Sequence, residues 1–113
     1  MQLQIAKRDI QLSDDDKALI RKYAGQLDQY YDRITNIRIM VEVPNRRMGE
    51  PIAYHVRFDI TVPGGEVLAG RRASPTLRTA VVRAFSAARR RLQDYARQQR
   101  GDVKKRTRPR RRG

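Results

Sequence analysis

The 113-residue chain has no cysteine and a single histidine. The first absence removes disulfides, thiolate metal sites and thiol nucleophiles together, and it is compatible with a reducing cytosol. The second removes most Ser/His/Asp designs. His55 falls on the polar side of an alternating strand pattern and reads as a surface residue without a catalytic partner. No apolar run approaches the roughly 20 residues that span a bilayer. The N-terminal MQLQIAKRDIQL is too short and too polar for a signal peptide. No Gly-x-x-x-x-Gly-Lys-Ser/Thr string is present, so Gly64-Gly65 reads as a turn and not as a phosphate cradle. Asp14, Asp15 and Asp16 lack the spacing of a calcium loop. A hydrolase or transferase needs a cleft with convergent titratable groups, and this inventory does not supply one. The reading is a non-enzymatic, cytoplasmic, soluble chain that needs no cofactor, no metal, no membrane and no small-molecule substrate.

Acidic residues are scarce in one half only. Residues 1–70 hold ten Lys/Arg and ten Asp/Glu, whereas residues 71–113 hold sixteen Lys/Arg against Asp94 and Asp102. The net charge of +14 therefore resides entirely in the second segment. A balanced first part joined to a cationic last part points to a surface offered to a polyanion. About 39% of the residues are apolar, enough for one modest core.

Hydrophobic periodicity gives six elements. Residues 2–6 alternate and form a short strand carrying Leu3 and Ile5 on one side. Ser13 is an N-cap, and the three aspartates after it suit the positive end of a helix dipole. Ile20, Tyr23, Leu27, Tyr30 and Tyr31 recur at helical spacing, which assigns Tyr23 and Tyr30 to core packing in preference to stacking on bases and leaves Tyr31 open between the two. Gly25 weakens that helix locally. Residues 36–43 alternate, with Ile37, Ile39, Val41 and Val43 on one face. Pro44 to Pro51 is a loop carrying Arg46 and Arg47. Residues 52–62 alternate again, with Tyr54, Val56, Phe58, Ile60 and Val62 inward. Pro63-Gly64-Gly65 marks a tight turn, and residues 66–71 fit a fourth strand. Ser74-Pro75 predicts the second helix start, Ser74 as N-cap and Pro75 at the first helical position. Leu77, Val81, Ala84, Phe85, Ala88, Leu92 and Tyr95 form its apolar stripe, and Arg83, Arg90 and Arg97 share a sector opposite it. From Gly101 on, periodicity ends. The expected division is a domain at 1–100 and a disordered basic tail at 101–113.

The order β-α-β-β-β-α predicts an α+β fold. Strands 1 and 2 are joined through a helix and should run parallel if adjacent; strands 2 to 4 should form an antiparallel meander. Strands with one polar face imply a four-stranded mixed sheet with both helices packed on its other face.

The element order and several strings resemble the ribosome hibernation-promoting factor family, also called ribosome-associated inhibitors. The strings are MQLQIA, Ile10-Gln11-Leu12-Ser13, Gln29-Tyr30-Tyr31-Asp32-Arg33-Ile34, Val62-Pro63-Gly64-Gly65-Glu66-Val67, Ala80-Val81 and Arg90-Arg91-Leu92. The resemblance covers about residues 1–97. It implies a fold similar to double-stranded-RNA-binding domains. It implies a bacterial stress-response protein that binds the small ribosomal subunit where messenger and transfer RNA normally sit and holds ribosomes idle. Basic residues of both helices would contact ribosomal RNA phosphates. The second helix departs from the family pattern: Thr76, Arg78 and Val82 stand where that pattern has an acidic residue, a tyrosine and a second acidic residue. The family's long forms carry a further dimerisation domain. This chain resembles a short form and is expected to be a monomer when free.

Phosphate is the natural partner of such a surface, because guanidinium offers it planar, multi-donor hydrogen bonding and counterion release supplies affinity. The candidate RNA-binding residues are Lys17, Arg21 and Lys22 on the first helix and Arg78, Arg83, Arg89, Arg90, Arg91, Arg97 and Arg100 on the second. Lys104, Lys105, Arg106 and Arg108 follow in the tail, with Arg110, Arg111 and Arg112 beyond them. Two other functions fit the same charges: a general RNA- or DNA-binding module that diverged from ribosome duty, and a membrane-surface protein acting through the polybasic tail.

Overall fold

The structure, a computed structural model, describes residues 1–44, 49 and 51–107, and side chains within them except those of residues 71, 72 and 99–107. Six elements follow in the expected order: β1 (Gln2–Arg8), α1 (Asp14–Tyr30), β2 (Asn36–Glu42), β3 (Tyr54–Val62), β4 (Gly65–Ser74) and α2 (Leu77–Thr107).

The four strands form one sheet in the order β1-β2-β3-β4. β1 runs parallel to β2, with Leu3 beside Ile37 and Ile5 beside Ile39. β2, β3 and β4 are antiparallel neighbours. The fold is thus the α+β, mixed four-stranded arrangement that the sequence predicts. Alternation decides the faces. Ile37, Ile39, Val41, Val56, Phe58, Ile60, Val62, Val67 and Ala69 are buried on one side. Arg38, Asp59, Leu68 and their neighbours lie on the other side, which stays open.

A capping box starts α1: the Asp16 amide donates to Ser13 Oγ at 3.0 Å, and the Ser13 amide donates to Asp16 Oδ2 at 3.0 Å. Ile20, Ala24 and Leu27 are its fully buried residues. The helix ends at Tyr30, and Tyr31 takes an extended conformation as C-cap. That stop corrects the assignment of the tyrosines. Tyr30 is 41% exposed, while Tyr31 turns back and meets Tyr95 edge-on, ring centroids 6.4 Å apart.

β3 begins at Tyr54 and not at 52; Ile52 precedes it and is exposed. β4 is longer than its alternation suggested and runs to Ser74, because its last residues pair with Tyr54–Val56. The register shifts between Val56 and Arg57, opposite Gly70. Gly70 has φ +152°, and a Cβ placed there would lie 2.4 Å from the Arg57 Cα. Only glycine fits this bulge.

The start of α2 also differs from expectation. Ser74 ends β4 and is buried with its Oγ unpartnered. Thr76 is the residue that caps the helix: the Thr79 amide donates to its Oγ1 at 3.2 Å, and the Ala80 amide donates to its carbonyl at 3.1 Å. Pro75 thus precedes the cap. Ala80, Val81, Ala84, Ala88 and Leu92 are fully buried against the sheet. At its other end α2 passes through Gly101 to Thr107, so helical backbone continues past the boundary expected at 101. A single helical glycine costs only about 1 kcal/mol, and the Lys/Arg run that follows favours the negative end of the helix dipole. Residues 108–113, the remainder of the expected tail, lie outside the described residues.

Candidate nucleic-acid interface

The helices lie side by side on the sheet and run in the same direction, since Tyr23 meets Phe85 (centroids 4.9 Å apart) and, further along both, Tyr31 meets Tyr95. These aromatic contacts close the seam between them. Each helix keeps its polar side toward solvent, and there the candidate cations appear.

On α2 the buried residues fix the orientation. With Val81, Ala84, Ala88 and Leu92 inward, a step of 100° per residue sends Arg83, Arg90 and Arg97 outward, drifting about 20° per seven residues. All three are exposed. Successive members stand about 10.5 Å apart along the axis at 1.5 Å per residue. They are not equivalent. Arg83 Nη1 donates to the Ala73 carbonyl at 3.5 Å, which turns it back toward the end of β4. Arg97 lies 3.9 Å from Asp94 in an exposed pair, too open to hold it firmly. No hydrogen bond or ion pair engages Arg90 among the described residues. Arg78 and Arg91 are also exposed, on the two flanks of this ridge. Arg89 faces α1, its guanidinium carbon 5.2 Å from the centre of the Tyr30 ring.

The three α1 cations do not form a single strip. Lys22 is exposed, and its ammonium sits 5.7 Å from the centre of the Tyr23 ring. Lys17 and Arg21 belong to the other side of the helix, where they line a groove against β1 together with Lys7. A first strand bounded at Ala6 leaves Lys7 out of the candidate set. Alternation carried one residue further places it with Leu3 and Ile5.

The backbone at Arg100, Lys104, Lys105 and Arg106 is helical, and their side chains lie outside the described residues. Arg108, Arg110, Arg111 and Arg112, like Arg46 and Arg47, lie outside them altogether. The first turn of α2 contains no acidic residue. Among the described residues the ion pairs are Arg97–Asp94 and, on the open sheet face, Arg57–Asp59, where Arg57 Nε and Nη2 donate to the two carboxylate oxygens at 2.9 and 3.1 Å. The exposed side of α2 is therefore a field of cations largely free of carboxylate. Among the described side chains the open sheet face is balanced, with Arg8, Arg38 and Arg57 set against Glu42, Asp59 and Glu66. Such a division orients a polyanion toward the helix layer.

Nothing catalytic gathers elsewhere among the described residues. His55 stands opposite Glu42 on the open sheet face. No group of three or more His, Cys, Asp or Glu among the described residues is placed to hold a metal ion. No described helix is long and apolar enough to cross a membrane.

Comparison with known proteins agrees with this architecture. No curated protein sequence matches the chain. Among solved structures, a ribosomal subunit interface protein from Coxiella burnetii superposes with a TM-score of 0.73 at 19% identity, over 85% of this chain and 98% of that one. The N-terminal domain of Protein Y from Thermus thermophilus gives a TM-score of 0.64 at 19% identity, over 83% and 94% respectively. At that identity the likeness establishes the fold. The sequence itself matches a family model over residues 3–100, nearly the whole chain, and so the protein belongs to the sigma 54 modulation protein / S30EA ribosomal protein family.

Proposed function

We propose that this non-enzymatic, ribosome-associated protein is a translation inhibitor of the cytoplasm that seats its two helices on ribosomal RNA of the small subunit. There it occupies the channel of messenger and transfer RNA and holds ribosomes idle under stress or starvation. The observation that carries the reading is the exposed α2 ridge of Arg83, Arg90 and Arg97, with the exposed Asp94 as its one paired carboxylate among the described residues, in a chain of this family. Guanidinium groups along one helix face can follow a sugar-phosphate backbone without reading bases, which is how structured RNA is mostly recognised. Arg78, Arg89 and Arg91 widen the interface, and Lys17, Arg21 and Lys22 extend it onto α1. Arg100, Lys104, Lys105, Arg106 and Arg108 prolong it along the chain. The protein acts as a monomer before it binds.

The test is co-sedimentation of a triple variant, Arg83→Glu, Arg90→Glu and Arg97→Glu, with small subunits. All three positions are exposed, so the fold should survive and binding should be lost. A triple variant that still sediments with small subunits at moderate salt would overturn the assignment to α2. The second reading, a general RNA- or DNA-binding module, is favoured by Arg78 and Val82 at positions where the resemblance implies other residues. Equal affinity for ribosomes and for arbitrary duplexes would select it.

A further inference from the structure

β1 is an edge strand, and one of its sides is unpaired. The Gln2 amide donates to the Thr35 carbonyl at 3.1 Å, and the Arg8 carbonyl accepts from the Val43 amide at 3.3 Å. In a parallel ladder alternate residues direct both main-chain groups toward the neighbour. Gln2, Gln4, Ala6 and Arg8 thus serve β2, and the N–H and C=O groups of Leu3, Ile5 and Lys7 point away along the free edge. Folded proteins usually cover or blunt such an edge. Here α1 leans on α2 and touches β1 at few positions. Between α1 and the edge lies an open groove of about 400 Å³ lined by Leu3, Ile5, Lys7, Leu12, Lys17 and Arg21. Three cations and three apolar side chains line it, with no carboxylate among them. Of the three ammonium and guanidinium groups, Lys7 Nζ donates to Gln11 Oε1 at 3.3 Å, a neutral partner.

We propose that this groove receives an extended acidic peptide segment of a partner protein, which adds to the sheet as a strand beside β1. The free main-chain groups supply the hydrogen bonds of strand addition. Leu3 and Ile5 select apolar side chains at the alternate positions that face the groove. Lys7, Lys17 and Arg21 select carboxylates at the next positions along the same side. Lys7 repels a purely basic strand and leaves an acidic one favoured, which gives the edge selectivity against random aggregation. The groove shares Lys17 and Arg21 with the RNA interface proposed above and differs from it in the β1 edge and Lys7, which that interface does not use.

The experiment titrates the full chain with a synthetic peptide in which threonine alternates with valine, valine, glutamate and glutamate, followed by amide chemical shifts and hydrogen exchange. The expected result is shifted, slowly exchanging amides at Leu3, Ile5 and Lys7. The same peptide N-methylated at alternate residues should bind at least about fivefold more weakly, the value of one missing hydrogen bond. Leu3→Pro removes an outward donor and spares the bonds to β2; it should weaken binding by a similar factor. Lys7→Glu, an exposed change that does not threaten the fold, should weaken it about tenfold through like-charge repulsion. Equal binding of the methylated and unmethylated peptides overturns the proposal. So does an unchanged affinity in Lys7→Glu. Displacement of the peptide's signature by duplex RNA that perturbs the same three amides in the same way would also overturn it, by making the groove part of the polyanion surface.

Discussion

The Tyr95 hydroxyl donates to the Pro63 carbonyl at 2.8 Å and so ties the middle of α2 to the β3–β4 hairpin. The same ring is met edge-on by Tyr31, so one α2 residue joins the end of α1, the hairpin and the helix layer. Tyr95→Phe keeps the ring and removes the tie. The expected loss is about 0.5–1.5 kcal/mol, the usual net value of a hydrogen bond whose acceptor can rehydrate. Denaturant unfolding followed by circular dichroism checks it, and an unchanged midpoint would show that the tie contributes nothing.

Gly25 and Gly70 should respond to alanine with opposite signs. A Cβ at Gly25 meets nothing within 4 Å, and the residue lies inside α1. Gly25→Ala should stabilise by about 0.5–1 kcal/mol through helix propensity and a less mobile unfolded chain. A Cβ at Gly70 collides with the Arg57 backbone at a positive φ. Gly70→Ala should cost more than about 2 kcal/mol. Thermal melts of the two variants against the parent decide both.

Ser74 and Thr76 test which residue caps α2. Thr76→Ala removes the acceptor of the Thr79 amide and should cost about 1 kcal/mol. Ser74→Ala removes a buried hydroxyl that has no partner and should be neutral or slightly stabilising. The reverse ranking in equilibrium unfolding would return the cap to Ser74.

Binding to small subunits should weaken steeply with salt, as phosphate neutralisation releases counterions. Arg90→Gln should lower affinity and reduce the slope of log K against log salt by about one, as expected when a single phosphate goes unneutralised. Arg57→Gln, whose guanidinium is engaged by Asp59 on the open sheet face, should leave that slope unchanged. Sedimentation across a salt series measures both variants.

Much of the fold was legible because local periodicity reports which face of an element is buried. Ile37-Arg38-Ile39-Met40-Val41 needs no knowledge of its neighbours to be read as a half-buried strand. The stripe from Val81 to Leu92 likewise fixes where Arg83, Arg90 and Arg97 must point. The differences fall at element ends, where periodicity stops. Tyr30 and Tyr31 are adjacent, and only the point at which α1 terminates decides that the first is exposed and the second packs on Tyr95. Ser74 and Thr76 are both good caps in isolation. Pairing of β4 with Tyr54 keeps Ser74 in the strand and passes the role to Thr76.

The sequence by itself determined the order of the elements, the division of each into an apolar and a polar side, and the segregation of positive charge into the second half of the chain. These are properties of residue type and spacing, which short-range sterics and burial convert directly into local structure. Only the tertiary structure decided how the cations are grouped, because lateral packing brings together residues far apart in the chain. The packing of α1 sets Lys17 and Arg21 beside Lys7 of β1, places Arg89 over Tyr30, and leaves the β1 edge open.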